Sequence, residues 1–169
     1  MSPQKHLAVG IGGGIAVGAI SGNPYLGAGF FFGSWAIDLD HLWQYWRINN
    51  FDRPFNVKEF FNFNDRHGRK FGAEPYLHLL FGHTLEMNLL FLLLAMSLGN
   101  TLSLLFWGML FGSVIHLILD DINMYRGYVK RGKFPWFMFK RCHSIVEFYI
   151  RKFFCKEKEY SRNFAIRIN

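Results

Sequence analysis

Histidines and carboxylates lie within or beside the apolar runs of this 169-residue chain, where an ionisable side chain is costly and needs a specific reason. His116 and Asp120 are four residues apart and would share one face of a helix. Imidazole and carboxylate together suit zinc, manganese or iron, and suit magnesium less well. The sequence therefore predicts a site for a divalent transition metal, with zinc foremost. The candidate ligands are His6, Asp38, Asp40, His41, His78, His83, His116 and Asp120.

Acidic residues at the ends of apolar runs strengthen the metal prediction. Asp38 and Asp40 follow the second run, and Asp120 and Asp121 follow the fourth. If helices end there, the helix dipole disfavours negative charge at these positions, and a bound cation would offset that cost. Eight candidate ligands exceed the ~4–6 positions around one ion, so the pattern indicates two or three ions, or one ion with outer-shell partners.

Two further carboxylates are candidates for a catalytic role. Glu86 lies three residues after His83, and Asp121 directly follows Asp120, so either could be a general base. No Ser or Cys nucleophile with a partner base is recognisable. The chemistry predicted from these residues is metal-assisted hydrolysis, in which an activated water attacks an ester or a phosphoester near neutral pH.

Four apolar runs must position these residues, and they cover 7–22, 25–37, 77–98 and 102–119. The last two are long enough to cross a bilayer core of ~30 Å at ~1.5 Å per residue, and the first two need the flanking turns as well. Glycines recur every four residues on three of the runs, a spacing that lets helices approach closely in lipid. The predicted fold is an all-α integral membrane four-helix bundle.

The distribution of Lys and Arg predicts how this bundle is oriented. Of the 19 basic residues, one precedes the first run, six lie between the second and third runs, and twelve follow Met124. None falls in the turns at Asn23 and Gly99. The positive-inside rule therefore places both termini in the cytoplasm of a multi-pass protein of the cytoplasmic (inner) membrane. With that topology, every helix end that carries a candidate ligand lies on the cytoplasmic side.

The predicted organisation is a transmembrane domain at 1–125 and a basic amphipathic tail at 126–169. A cytoplasmic interfacial segment at 47–76 connects the second and third helices. Aromatic and basic residues recur in the tail at roughly helical spacing, which is typical of an interfacial helix on anionic lipid headgroups. The expected partners are the bilayer, those headgroups and an amphiphilic, lipid-like substrate. Nucleic acid is not expected, and the oligomeric state is left open.

Four motifs follow one another along residues 5–122: an early His (His6), D-x-D-H (38–41), two histidines five apart (His78 and His83) and H-x-x-x-D (116–120). The order of these motifs resembles the membrane-bound metal-dependent hydrolases, the YdjM-like inner-membrane-associated family. That resemblance implies a membrane-embedded hydrolase in which these His and Asp residues bind metal. Two features depart from the family pattern: Ile37 replaces a Pro, and 78–84 read H-L-L-F-G-H-T in place of H-R-G-x-T-H-S.

The predicted function is therefore hydrolysis of an amphiphilic ester or phosphoester at the cytoplasmic face of the membrane. The alternative is a non-enzymatic, metal-binding membrane module that carries ions or recruits a partner through its basic tail. An open coordination position would favour the enzyme, whereas a closed ligand shell would favour the module.

Overall fold

Helices make up all the regular secondary structure of the described residues, as the sequence predicts. The structure is a computed structural model, and it describes residues 3–48, 58, 80–129 and 144–154. Two short 3-10 helices, Ala36–Asp38 and Phe81–His83, precede α3 and α4 respectively. The α-helices are α1 (Pro3–Ser21), α2 (Pro24–Trp35), α3 (Leu39–Ile48), α4 (Leu85–Ser97), α5 (Asn100–Val129) and α6 (Ile145–Phe153).

The turn between α1 and α2 is the tight one that the sequence predicts. Gly22 has a φ of +63°, a conformation that glycine adopts without steric cost. Asn23 caps α2, since its Oδ1 accepts hydrogen bonds from the backbone N–H groups of Tyr25 and Leu26, at 3.0 and 3.2 Å. Pro24 begins α2 at a position where its missing N–H is harmless. The chain therefore reverses direction at this turn, and α2 packs alongside α1.

Close backbone approach joins α2 to α5, and α1 and α4 pack against the outer sides of this pair. A Cβ added at Gly29 would collide with the Leu105 carbonyl oxygen, and one at Gly108 would collide with that of Leu26. The same is true of Gly33 and Gly112, so four glycines allow the two backbones to touch. Because α2 leads into Asp38 and α5 carries His116, this contact sets the level at which the two ligand-bearing segments meet.

Among the buried residues of the described part, polar ones outnumber apolar ones. Nine polar or charged residues are buried there, against six apolar ones. Conversely, large apolar side chains such as Ile15, Leu93 and Ile118 are about half exposed or more. A soluble protein seldom leaves so much apolar surface open.

One helix of the described residues is long and apolar enough to cross a membrane. It is the Asn100–Asn123 part of α5, with a mean hydropathy of 2.1 over its best window, of which 22% is buried. Lys5–Ser21 and Leu85–Ser97 are apolar but shorter. Among the described residues α4 begins at Leu85, later than the predicted 77, because Thr84 caps it by accepting the Met87 N–H. The structure therefore supports one of the four predicted spans by length.

The prediction that the fourth helix ends at Asp120 and Asp121 is wrong. The α5 helix continues to Val129, since neither Pro nor Gly lies between Asp121 and Gly127. Asp40 lies in the first turn of α3, where the dipole favours a carboxylate. The helix dipole therefore gives no reason to expect a cation at Asp40, Asp120 or Asp121. The prediction of a metal ion depends instead on the geometry of the site. Most of the predicted segment 47–76 and most of the tail 126–169 lie outside the described residues.

Candidate metal centre

Segments that are far apart in sequence bring their His and Asp side chains together at one end of the packed helices. Each of three groups offers ligand atoms that all lie within 4.8 Å of one another, and adjacent groups share a histidine. The groups are His6, His116 and Asp120; Asp38, His83 and His116; and Asp40, His41 and His83. These buried His and Asp groups could bind a metal ion.

The imidazole of His83 is held in one orientation by Asp40. Its Nδ1–H donates a hydrogen bond to Oδ2 of Asp40 at 2.9 Å, and the backbone N–H of Gly82 donates to the same oxygen at 3.0 Å. Because an ionised carboxylate only accepts, the proton of a neutral His83 must be on Nδ1. The other nitrogen, Nε2, is then an unprotonated donor atom turned towards the centre.

His116 is oriented in the same way by a backbone carbonyl. Its Nδ1–H donates to the Ser34 carbonyl oxygen at 2.7 Å, which leaves Nε2 unprotonated in the neutral ring. The Nε2 atoms of His83 and His116 are 3.1 Å apart, although two neutral acceptors cannot share a hydrogen bond. Two nitrogen ligands of one tetrahedral zinc, each at ~2.0–2.1 Å, would be about 3.3 Å apart. The short separation is therefore compatible with a cation bound between the two rings.

Asp38 and Asp120 provide oxygens at matching distances. Oδ1 of Asp38 is 3.5 Å from His116 Nε2 and 3.7 Å from His83 Nε2. Oδ2 of Asp120 is 3.7 Å from His116 Nε2 and 3.8 Å from His83 Nε2. Ligand atoms around one tetrahedral zinc would be about 3.3–3.6 Å apart, so these distances lie at or slightly above that range. Both carboxylate oxygens lie near the same two imidazole nitrogens, and we call these four atoms the four-donor set.

Each member of the four-donor set has an outer neighbour. Asp40 contacts His83, and the Ser34 carbonyl contacts His116, as described above. In addition, Nε2 of His6 is 3.0 Å from Oδ1 of Asp120. The His6 ring also stacks on His116, with centroids 3.8 Å apart. Nε2 of His41 lies 3.6 Å from Oδ1 of Asp38. All seven predicted ligands in the described residues thus lie in the three groups: four form the four-donor set, and His6, Asp40 and His41 adjoin it.

Exposure of the side chains is uneven around the centre. Those of His83 and His116 are at most 1% exposed, whereas that of His41 is 26% exposed. Among the described residues, the centre is therefore most open on the side of α3.

The remaining predicted site residues lie elsewhere or outside the described residues. His78 is outside them. Asp121 is half-buried and belongs to none of the three groups. Glu86 also belongs to none of them, and its Oε1 instead accepts hydrogen bonds from the Ser144 hydroxyl and the Ile145 N–H, at 2.5 and 3.0 Å. A general-base role for Glu86 or Asp121 stays a prediction.

Sequence reasoning missed two contributors to the site. The Ser34 carbonyl orients His116, but a backbone group leaves no signal in residue type. Gly82 is necessary because a Cβ there would be 2.8 Å from the Ile37 carbonyl oxygen, so only glycine lets its N–H reach Asp40. A glycine directly before a candidate ligand is a signal that could have indicated this close packing.

Comparison with known proteins gives no match for this chain: no protein-family model, no curated protein and no solved structure matches it. The fold and the site define the chain only as an all-helical protein with a buried cluster of His and Asp that could bind a metal ion.

Proposed function

We propose that the chain is a multi-pass protein of the cytoplasmic membrane, with its His and Asp cluster at the cytoplasmic ends of four apolar helices. The apolar exterior, the polar interior and the low burial of Asn100–Asn123 support this proposal. Glycine-mediated contact between α2 and α5 is the packing that lipid-embedded helices use. The number of spans and the orientation depend on the apolar runs and on the distribution of Lys and Arg.

Within this protein, the four-donor set would hold a divalent transition metal, with zinc as the best fit. The observation that carries this proposal is the 3.1 Å approach of two imidazole nitrogens whose ring partners leave both unprotonated. Asp38 and Asp120 would balance the charge of the ion. Asp40, His6 and His41 would orient the ligands, and additional ions would need donors beyond the four.

The activity that we propose is hydrolysis of an ester or a phosphoester in an amphiphilic, lipid-like substrate. A bound divalent ion supplies a Lewis acid and a nucleophilic water at neutral pH. The side chains would hold the ion at the level of the lipid headgroups and leave the more exposed side, near His41, for the substrate. Membership of the YdjM-like hydrolases is part of the same proposal. Asp121, which directly follows Asp120 of the four-donor set, is the candidate base.

Metal content and turnover of the purified full-length protein test this proposal. We expect zinc, or manganese or iron, to copurify in detergent, and the metal-loaded protein to hydrolyse at least one phospholipid, lipid phosphate or acyl ester in mixed micelles. His116→Ala should lose both metal and turnover. Asp121→Asn should keep the metal and, if Asp121 is the base, lower turnover by ~10²–10⁴. Protein that takes up none of these metals would refute the centre.

A non-enzymatic metal-binding module is the second candidate, because four protein donors around one ion would complete a tetrahedral shell. Cobalt substitution separates the two candidates, since the absorption spectrum of Co²⁺ reports its coordination number. An ion that stays four-coordinate when each substrate is added, with no turnover across the panel, would favour the module. A change of spectrum on addition of a hydrolysed substrate would favour the enzyme.

A further inference from the structure

Helix α6 is attached to the helix bundle beside the metal centre. Oε1 of Glu86 accepts hydrogen bonds from the Ser144 hydroxyl and from the backbone N–H groups of Ile145 and Val146, at 2.5, 3.0 and 3.4 Å. Ser144 itself caps the helix through the N–H groups of Val146 and Glu147. Glu86 is three residues after His83, so α6 begins at the same end of the bundle as the centre. One carboxylate thus holds the start of α6 in place.

The two faces of α6 have different surroundings. Phe148 is 4% exposed and packs inward, whereas an apolar stripe faces away from the described residues. Every member of this stripe is at least 48% exposed. Four of them follow the i, i+3, i+4, i+7 spacing of one helix face, and the fifth continues the stripe past the end of α6. The apolar stripe consists of Val146, Tyr149, Ile150, Phe153 and Phe154.

A basic group borders the apolar stripe. Lys152, in the last turn of the helix, places its Nζ 5.6 and 5.9 Å from the ring centroids of Phe148 and Phe153. Arg151 lies on the side of Phe148 instead, where its side chain is 13% exposed and forms an ion pair with Glu147 at 3.1 Å. An apolar face with a Lys at its edge is the pattern of a helix that lies in a bilayer interface. At nine residues, or about 14 Å, α6 is far too short to cross a membrane.

Continuity with the exterior of α4 distinguishes a bilayer from a protein partner. Leu85, Leu89 and Leu93 form an exposed apolar row that begins beside Glu86, where α6 is attached. If a membrane surrounds α4, its headgroup region therefore lies at the height of α6. A second protein on the apolar stripe would have to displace lipid from this junction.

We infer that Glu86 anchors α6 so that its apolar stripe inserts into the cytoplasmic surface of the bilayer, with Lys152 at anionic lipid phosphates. This inference depends on the membrane part of the proposed function and not on its chemistry. It assigns Glu86 to positioning the helix. It also places the metal centre at the depth of the headgroups, because Glu86, which holds α6, is only three residues from His83.

Nitroxide labels on the full-length protein in vesicles of phosphatidylcholine and phosphatidylglycerol test the inference. With Cys142 and Cys155 replaced by Ser, single cysteines at Val146, Tyr149, Ile150 and Phe153 would each carry a label. We expect these labels to collide with oxygen and to be protected from an aqueous nickel chelate, at depths of ~5–10 Å. A label at Glu147 should show the opposite accessibility.

Three outcomes separate the alternatives. Stripe labels that are open to the nickel chelate would overturn the inference, and so would dipolar broadening between labels on two copies. A reference label at Phe111 of α5, which is 51% exposed, should lie deepest in the lipid. If that reference is open to water as well, the membrane part of the proposed function has failed, and not merely the placement of α6.

The anchoring role of Glu86 has its own test. Glu86→Ala and Ser144→Ala each remove one side of the contact, and both should increase the mobility of a label at Val146. Leu90→Ala, on an exposed part of α4, is the matched control and should leave that mobility unchanged. Unchanged mobility in both anchor variants would show that the carboxylate does not hold the helix.

Discussion

At the scale of single residues, the function of a carboxylate in this site depends on which atom faces it. Asp38 and Asp40 are two residues apart and chemically identical, yet Asp38 directs Oδ1 towards two imidazole Nε2 atoms while Asp40 receives an N–H from His83 and another from Gly82. Residue type predicted a ligand in both cases. Orientation separates the two: Oδ2 of Asp40 orients the His83 ring, and Asp40 also belongs to the group with His41 and His83.

Substitution of Asp40 should therefore weaken the binding of metal without abolishing it. Asp40→Ala removes the group that holds the tautomer and the ring orientation of His83, and loss of such an outer partner costs about 10–100-fold in metal affinity. Competition with a chelator of known affinity measures the change. Full occupancy should return at high metal concentration.

The matched variant for Asp40→Ala is Asp38→Ala, which removes a member of the four-donor set and should leave the protein without metal at the same concentration. Equal losses in the two variants would mean that Asp40 is itself a ligand. Equal retention would mean that Asp38 is not one.

At the scale of helices, the approach of α2 to α5 determines the geometry of the centre. The glycines on these helices leave no space for a methyl group, so the distance between Asp38 and His116 depends on them. The repeat of glycine at every fourth residue could be predicted to mark packed faces. Which helix each face touches is a tertiary outcome, since α2 uses Gly27 against α1 but Gly29 and Gly33 against α5.

Gly29→Ala should destabilise the protein and lower its metal affinity together. The added Cβ would overlap the Leu105 carbonyl, and relief of the overlap requires the backbones to separate, at a cost of about 1–3 kcal/mol. Thermal unfolding in detergent and chelator competition measure the two effects.

Gly12→Ala is the control for this substitution, because a Cβ at Gly12 meets nothing within 4 Å. It should stabilise α1 by about 0.5–1 kcal/mol, since alanine loses less backbone entropy than glycine in a helix. If Gly29→Ala behaves like Gly12→Ala, α2 and α5 are not in backbone contact.

At the scale of the whole molecule, the arrangement of polarity is inverted relative to a soluble protein. Buried polar side chains gather at one end, and exposed apolar ones cover α1, α4 and α5. This arrangement supports the proposal that lipid surrounds the described helices. Topology and metal-linked stability are the two properties that test the molecule as a unit.

Reporter fusions test the topology. Fusions after Asn23 and Asn100 should report the exterior, and fusions after Arg66 and Asn169 should report the cytoplasm, because the turns at Asn23 and Gly99 hold no Lys or Arg while the latter regions hold 18 of the 19. A cytoplasmic signal at Asn100 would place the start of α5 on the same side as its basic end and would contradict a membrane-spanning α5.

Removal of metal should lower the thermal stability of the intact protein. A ligand that binds only the folded state stabilises it by about 2.7 kcal/mol when its free concentration is roughly one hundredfold above Kd, which corresponds to several degrees in Tm. Chelation followed by a thermal scan measures the shift, and added zinc should reverse it. His116→Ala should show neither the loss on chelation nor the recovery.

The apolar runs and the His and Asp spacings allowed an all-helical fold, and a cluster of these residues, to be predicted from the sequence. Hydrophobic period and helix length place a residue along the axis of a helix, and this information is local. The rotation of each helix about its axis depends on residues that are distant in sequence. It is determined by contacts between glycines and backbone carbonyls of other helices, and by the caps at Thr84 and Ser144. For that reason only the tertiary structure shows that His83 and His116 face each other through Nε2, that Asp40 faces Nδ1 of His83, and that Glu86 points towards α6 and away from the four-donor set.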